Sequence, residues 1–125
     1  MVGGHSLGGT VAAMDADAHD ADADAPVVGL MLWASYPASD LSGSLTAQVL
    51  SLSASEDGLA TPATIEASRA DLPACATFSV VEGASHASFG DYGPQPGDGT
   101  PTIDADDARA QISAAGVAFL AAAAS

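Results

Sequence analysis

The sequence predicts an α/β fold, with a short parallel sheet and flanking helices. Three observations point there. The apolar runs at residues 27–34, 48–53 and 76–82 are near-continuous rather than alternating, the pattern of strands covered on both faces. Helix signals lie between the runs. Near the N-terminus, Gly4-His5-Ser6-Leu7-Gly8 is a G-x-S-x-G pentapeptide, the pattern of a sharp strand-to-helix turn.

That turn comes first. Its serine sits on a strained backbone, so its neighbours must lack bulk. Gly4 and Gly8 are expected to leave room for the turn, and Gly9 to let the next helix pack closely. Only Met1, Val2 and Gly3 stand before the pentapeptide, so the chain is expected to start inside the turn's strand. Chance alone produces G-x-S-x-G in a chain with 13 glycines. The downstream residues give the motif its weight: a helix start at Gly9-Thr10-Val11, then an acid and a histidine in the order Ser, Asp, His.

The first helix is expected from Leu7 to about His19. Residues 15–24 alternate Asp with Ala and His. A calcium loop starting at Asp20 would need Gly at its sixth position and Glu at its twelfth; Ala25 and Met31 stand there. A solvated helix end and loop fits better. In the strand at 27–34, Trp33 is expected in the core, and Tyr36 beyond it is expected to face the site. The strand at 48–53 leads to a second helix, with Thr61 as N-cap, Pro62 in the first turn and Pro73 closing the segment. After the strand at 76–82, a third helix opens at Ile103, with Asp104, Asp106 and Asp107 at its positive end. Its packing stripe reads Ile112, Ala115, Val117, Phe119 and Leu120. The tail from Ala121 is expected to fray.

Composition bounds the function. The 125 residues make one domain at most, and much of its 48% hydrophobic content is alanine, so the core is expected to be shallow. Sixteen Asp and Glu stand against Arg69, Arg109 and no lysine, a formal net charge of −14. Such a surface repels nucleic acid and anionic membranes, and repels itself at low salt. Salt-adapted and high-GC sources both fit this composition. The lone Cys75 permits no internal disulfide and reads as a small buried hydrophobe rather than a reactive thiol. There is no apolar stretch of membrane-span length and no visible signal peptide, which leaves localisation open.

The candidate chemistry lies at strand ends. Ser6 is a weak nucleophile until a base takes its proton. His86, just after the strand at 76–82, is the candidate base. His5 adjoins Ser6 in sequence, so its ring is expected to point away, and His19 lies in the acidic stretch. Asp57, after the strand at 48–53, is the candidate orienter of His86, with Glu56 as the adjacent alternative. Gly58 favours Asp57, because it fits a tight turn that aims the carboxylate back. The Leu7 N–H is the candidate oxyanion donor. Phe89 and Tyr92 either wall the substrate site or simply pack their loop.

Four segments carry a family resemblance: Val2-Gly3-Gly4-His5-Ser6-Leu7-Gly8-Gly9, Leu32-Trp33-Ala34-Ser35-Tyr36-Pro37, residues 56–62 and residues 85–99. The last contains His86-Ala87-Ser88-Phe89-Gly90-Asp91-Tyr92-Gly93, and it is the most distinctive. Together they resemble the bacterial α/β-hydrolase fold-5 family, and they match the C-terminal half of its domain. The resemblance implies a partial domain over residues 1–125 and the triad Ser6, Asp57 and His86. It also implies hydrolysis of a small-molecule ester or similar acyl bond, without metal or organic cofactor. A second oxyanion donor is implied in a segment upstream of Met1, part of an N-terminal half. The sequence departs from the family at Ala84-Ser85, where Gly-Asn is expected, and at Ala54, where Gly is expected. Both departures bear on loop geometry. The competing readings are a non-catalytic fragment or partner-dependent half-domain, and an acidic binding domain that uses no triad.

Overall fold

In the computed structural model, which describes residues 1–20, 26–90 and 93–123, four strands form one parallel sheet in the order β1-β2-β3-β4. The strands are β1 (Val2–His5), β2 (Gly29–Trp33), β3 (Gln48–Ala54) and β4 (Thr77–Val81). Three helices flank them: α1 (Leu7–Ala18), α2 (Pro62–Ala67) and α3 (Ala105–Ala123). Parallel neighbours need crossovers, and α1 and α2 supply two of them. The register runs His5 beside Trp33 beside Leu52, so all four strands end on one edge.

Burial follows position in the sheet. In β3, six of seven residues are buried, as an interior strand with both faces covered requires. On one face, Leu30, Leu32 and Val49 pack under Ala12, Ala13 and Ala16 of α1. The alanines let α1 sit close, at the cost of little area per residue. On the other face, Leu52, Ala54 and Val81 pack under Ala108 and Ile112 of α3. The β4 run is less covered than its sequence suggests, with Val80 49% exposed, because β4 is an edge strand.

Three details differ from the sequence expectation. Helix α3 starts at Ala105 rather than Ile103, because Asp104 accepts the Asp107 N–H at 2.8 Å and so caps the helix. Its packed face is Ala108, Ile112, Ala115, Gly116 and Phe119; Val117 and Leu120 fall off that stripe and are exposed. Cys75 is exposed, not buried, because it sits in the turn that the Ala76 N–H closes onto the Pro73 carbonyl at 2.9 Å. The second helix matches its signals: Thr61 caps α2 by accepting the Thr64 N–H, with Pro62 in the first turn. Part of the 15–24 stretch and the end of the tail lie outside the described residues.

Candidate active site

Ser6 links β1 to α1 at φ 56° and ψ −125°, a conformation that L side chains rarely adopt. Serine at a helix N-cap usually spends its hydroxyl on the first-turn N–H groups. Here the side chain makes no cap hydrogen bond, because the strained backbone turns it away from the helix. The Ser6 N–H is held by the Trp33 carbonyl at 3.0 Å, and the Ser6 carbonyl accepts from the buried Ser35 hydroxyl at 2.6 Å. Thr10 adds a bond from its hydroxyl to the Tyr36 carbonyl at 2.8 Å. These contacts tie the turn to the end of β2.

The glycines divide differently from expectation. A Cβ on Gly4 would overlap the Gly8 carbonyl group and come within 2.7 Å of the Gly9 nitrogen. A Cβ on Gly9 would lie 2.5 Å from Ser35 Oγ and 2.8 Å from the Gly4 carbonyl oxygen. A Cβ on Gly8 would meet nothing within 4 Å beyond its own helix backbone. Gly4 and Gly9 therefore make the turn sterically feasible, and Gly8 does not. Gly4→Ala is expected to destabilise the fold by about 1–3 kcal/mol, since backbone must move. Gly8→Ala, inside α1, is expected to stabilise it by about 0.5–1 kcal/mol through helix propensity. Equilibrium denaturation of the two variants checks the pair; equal effects would contradict this division.

Asp57 and His86 form the buried polar centre. Asp57 Oδ2 lies 2.8 Å from His86 Nδ1, with side chains 0% and 4% exposed. Asp57 Oδ1 accepts the N–H groups of Leu59 and Ala60, each at 2.8 Å. Both carboxylate oxygens are thus fixed by hydrogen bonds, while Glu56 is exposed to solvent. Gly58 is needed for space rather than for a tight turn: a Cβ there would strike the Gly97 carbonyl oxygen. With Nδ1 bonded to Asp57, His86 keeps Nε2 as its second nitrogen. Ser6 and His86 line one cleft of about 390 Å³ together with Leu7, Tyr36 and Leu59. Among the described residues no hydrogen bond joins Ser6 to His86, although contact at about 3 Å is what a nucleophile and its base need. Leu7 opens α1, so its N–H has no intrahelical acceptor.

Ala84 and Ala54 are completely buried without left-handed backbone, so glycine is not required at either place. Ser85 serves as N-cap of the 3-10 turn at His86–Phe89, in a reciprocal capping box with Ser88. Phe89 is 7% exposed and packs on Trp33 at 6.0 Å between ring centroids; it belongs to the core and not to the Ser6 cleft wall. Tyr92 lies outside the described residues. Tyr36 is 40% exposed on the cleft.

Sequence reasoning missed Ala34, Ser35, Asp98 and the place of His5. Ala34 holds φ 50° where β2 ends, an outlier that no residue pattern announces. Ser35 and Asp98 are visible only as members of the resembling segments. His5 lies against His86, with ring centroids 4.6 Å apart, and stacks on Phe89 at 5.6 Å.

Burial lowers the His5 pKa below 6.5, and the charge of protonated His86 adds to that; a hydrogen bond to the His86 main chain and the charges of Asp57 and Asp98 pull the other way without outweighing them. The folded state therefore prefers neutral His5. As pH falls below 6.5, the unfolded chain takes up this proton first, and stability is lost down to the folded pKa. In denaturation series from pH 7.5 to 5, wild type is expected to lose stability relative to His5→Phe, which keeps the stacking and does not titrate. A constant difference between the two would refute this linkage.

A strained serine, a histidine on the same cleft and a carboxylate behind that histidine are the elements of acyl transfer. Among the described residues no group of three or more His, Cys, Asp or Glu is placed to hold a metal ion, and no helix is long and apolar enough to cross a membrane. No curated protein matches the chain significantly. The model of the Alpha/beta hydrolase family matches residues 1–110, and the chain belongs to that family.

Proposed function

We propose that this member of the α/β hydrolase family cleaves an ester or similar acyl bond through Ser6, His86 and Asp57. Ser6 attacks the carbonyl carbon, and His86 takes the hydroxyl proton and then delivers it to the leaving group. Asp57 holds the His86 tautomer and balances the imidazolium. The Leu7 N–H stabilises the oxyanion. The observation that carries this reading is the backbone of Ser6, at φ 56° on the same cleft as His86. Strain of about 1–3 kcal/mol persists where function needs it. The substrate is a small molecule, and neither nucleic acid nor membrane is a partner. An organophosphorus fluoridate tests the reading: mass spectrometry is expected to find one adduct, on Ser6. A label on another residue, or none, refutes it.

A partner-dependent half-domain is the second reading, favoured by two observations. Strand β1 lies at the sheet edge, and Leu7, Val11 and Met14 leave an exposed apolar row along α1. A partner segment adding an N–H donor beside Leu7 would raise turnover by about 10²–10³. Labelled Ser6 without ester turnover by the chain alone would favour this reading.

A further inference from the structure

We infer that Asp98 is a positioning residue that locks the loop bearing Asp57 to the loop bearing His86. The inference rests on the proposed roles of those two residues. The Asp98 carboxylate accepts four backbone N–H groups. Its Oδ1 takes those of Gly58 at 3.2 Å, His86 at 3.0 Å and Gly99 at 2.8 Å, and its Oδ2 takes that of Ala87 at 3.0 Å. Gly58 directly follows Asp57. One carboxylate therefore bridges the main chains of both members of the 2.8 Å Asp57–His86 pair.

The surrounding backbone is built for this approach. A Cβ on Gly99 would overlap the Glu56 carbonyl, and a Cβ on Gly58 would lie 2.9 Å from the Asp98 carbonyl carbon. Residues 97–99 thus lie directly against residues 56–58. Other bonds join the two loops: the Glu56 N–H reaches the Ala84 carbonyl at 2.9 Å, and the Gly83 N–H reaches Ser55 Oγ at 2.7 Å. These fix the roots of the loops. Asp98 reaches further, to the backbone N–H of His86 itself. Burial would raise the Asp98 pKa, but the N–H groups of Ala87, His86, Gly58 and Gly99 outweigh it and hold the carboxylate ionised. An ionised acceptor makes shorter, stronger bonds than a neutral one.

The role separates from that of Asp57. Asp57 touches the imidazole, whereas Asp98 touches only main chain. Losing Asp98 leaves the chemistry intact and loosens its geometry. A displacement of about 1 Å at a reacting pair costs up to about 10²-fold in rate.

The test uses the full chain and the variants Asp98→Ala and Asp98→Asn, the second nearly isosteric. Turnover of p-nitrophenyl acetate gives kcat and KM, and the far-downfield proton resonance of His86 Nδ1–H reports the Asp57 bond without turnover. The expected result is a kcat lower by about 10- to 100-fold, KM nearly unchanged, and a weakened or absent downfield resonance. Asp98→Asn, which keeps one acceptor oxygen, is expected to fall between wild type and Asp98→Ala. If wild type shows the resonance but no hydrolysis, and the variants lose the resonance, the clamp stands and the proposed activity fails. Unchanged kcat and resonance in both variants overturn the clamp. So does a wild type that lacks the resonance, and so does global unfolding of both variants, which would assign Asp98 to the fold as a whole.

Discussion

Ser6→Ala is expected to remove ester turnover, by about 10⁴- to 10⁶-fold, while leaving the fold in place. The hydroxyl is not part of the scaffold, since it makes no cap hydrogen bond to α1. What holds the turn is the main chain of Ser6: its N–H donates to the Trp33 carbonyl, and its carbonyl accepts the Ser35 hydroxyl and the Gly9 N–H, the latter at 3.0 Å. Alanine keeps all of these. It also keeps the strain, because its Cβ suffers the same positive φ. Ser6→Gly separates strain from chemistry. Glycine adopts φ 56° freely, so this variant is expected to be inactive and more stable than wild type by about 1 kcal/mol. Turnover of p-nitrophenyl acetate and equilibrium denaturation of both variants check the pair. Retained hydrolysis in Ser6→Ala would identify another nucleophile. A Ser6→Gly variant no more stable than wild type would mean that the serine backbone stores no strain worth retaining for function.

The fold is legible in the sequence because its signals are local. Near-continuous apolar runs mark the strands, Thr61-Pro62 marks the start of α2, and the apolar positions Ile112, Ala115 and Phe119 mark the α3 face. The order Ser6, Asp57, His86 is legible for the same reason. Each comes after a strand, and parallel strands in sequential order bring their ends to one edge. Sequence reasoning fails where a property depends on close approach between distant segments. Gly8 shares a motif with Gly4, yet only Gly4 meets backbone. Gly58 looks like a turn residue, and its true constraint is the passage of residues 97–99. Phe89 looks like a pocket wall, and the contacts with Trp33 and His5 draw it inward. Cys75 looks buried by residue type, and a turn exposes it. His5 looks remote from the chemistry because it adjoins Ser6, but alternation along β1 places its ring against His86.

Asp57→Asn is expected to cost about 10⁴ in kcat with little loss of stability, and the hydrogen bonds say why. Oδ1 must accept two N–H groups, from Leu59 and Ala60, each at 2.8 Å. An asparagine placed with its carbonyl oxygen there satisfies both. Its NH2 group then occupies the Oδ2 position, 2.8 Å from His86 Nδ1. An NH2 donates, so Nδ1 must become the acceptor, and the imidazole proton moves to Nε2. That is the nitrogen left for Ser6, and once protonated it cannot take the hydroxyl proton. The flipped amide would restore the bond to Nδ1–H only by turning NH2 against two N–H donors. In a site with the Asp57 side chain 0% exposed, no water relieves that conflict. The variant therefore holds its shape and carries the wrong tautomer. Glu56→Gln is the control, expected to leave kcat within about 2-fold because Glu56 is solvent-exposed. Kinetics of p-nitrophenyl acetate hydrolysis across neutral pH, with 15N spectra of His86 to assign the protonated nitrogen, test the tautomer switch. Full turnover in Asp57→Asn, or a larger loss in Glu56→Gln, would remove Asp57 from the mechanism.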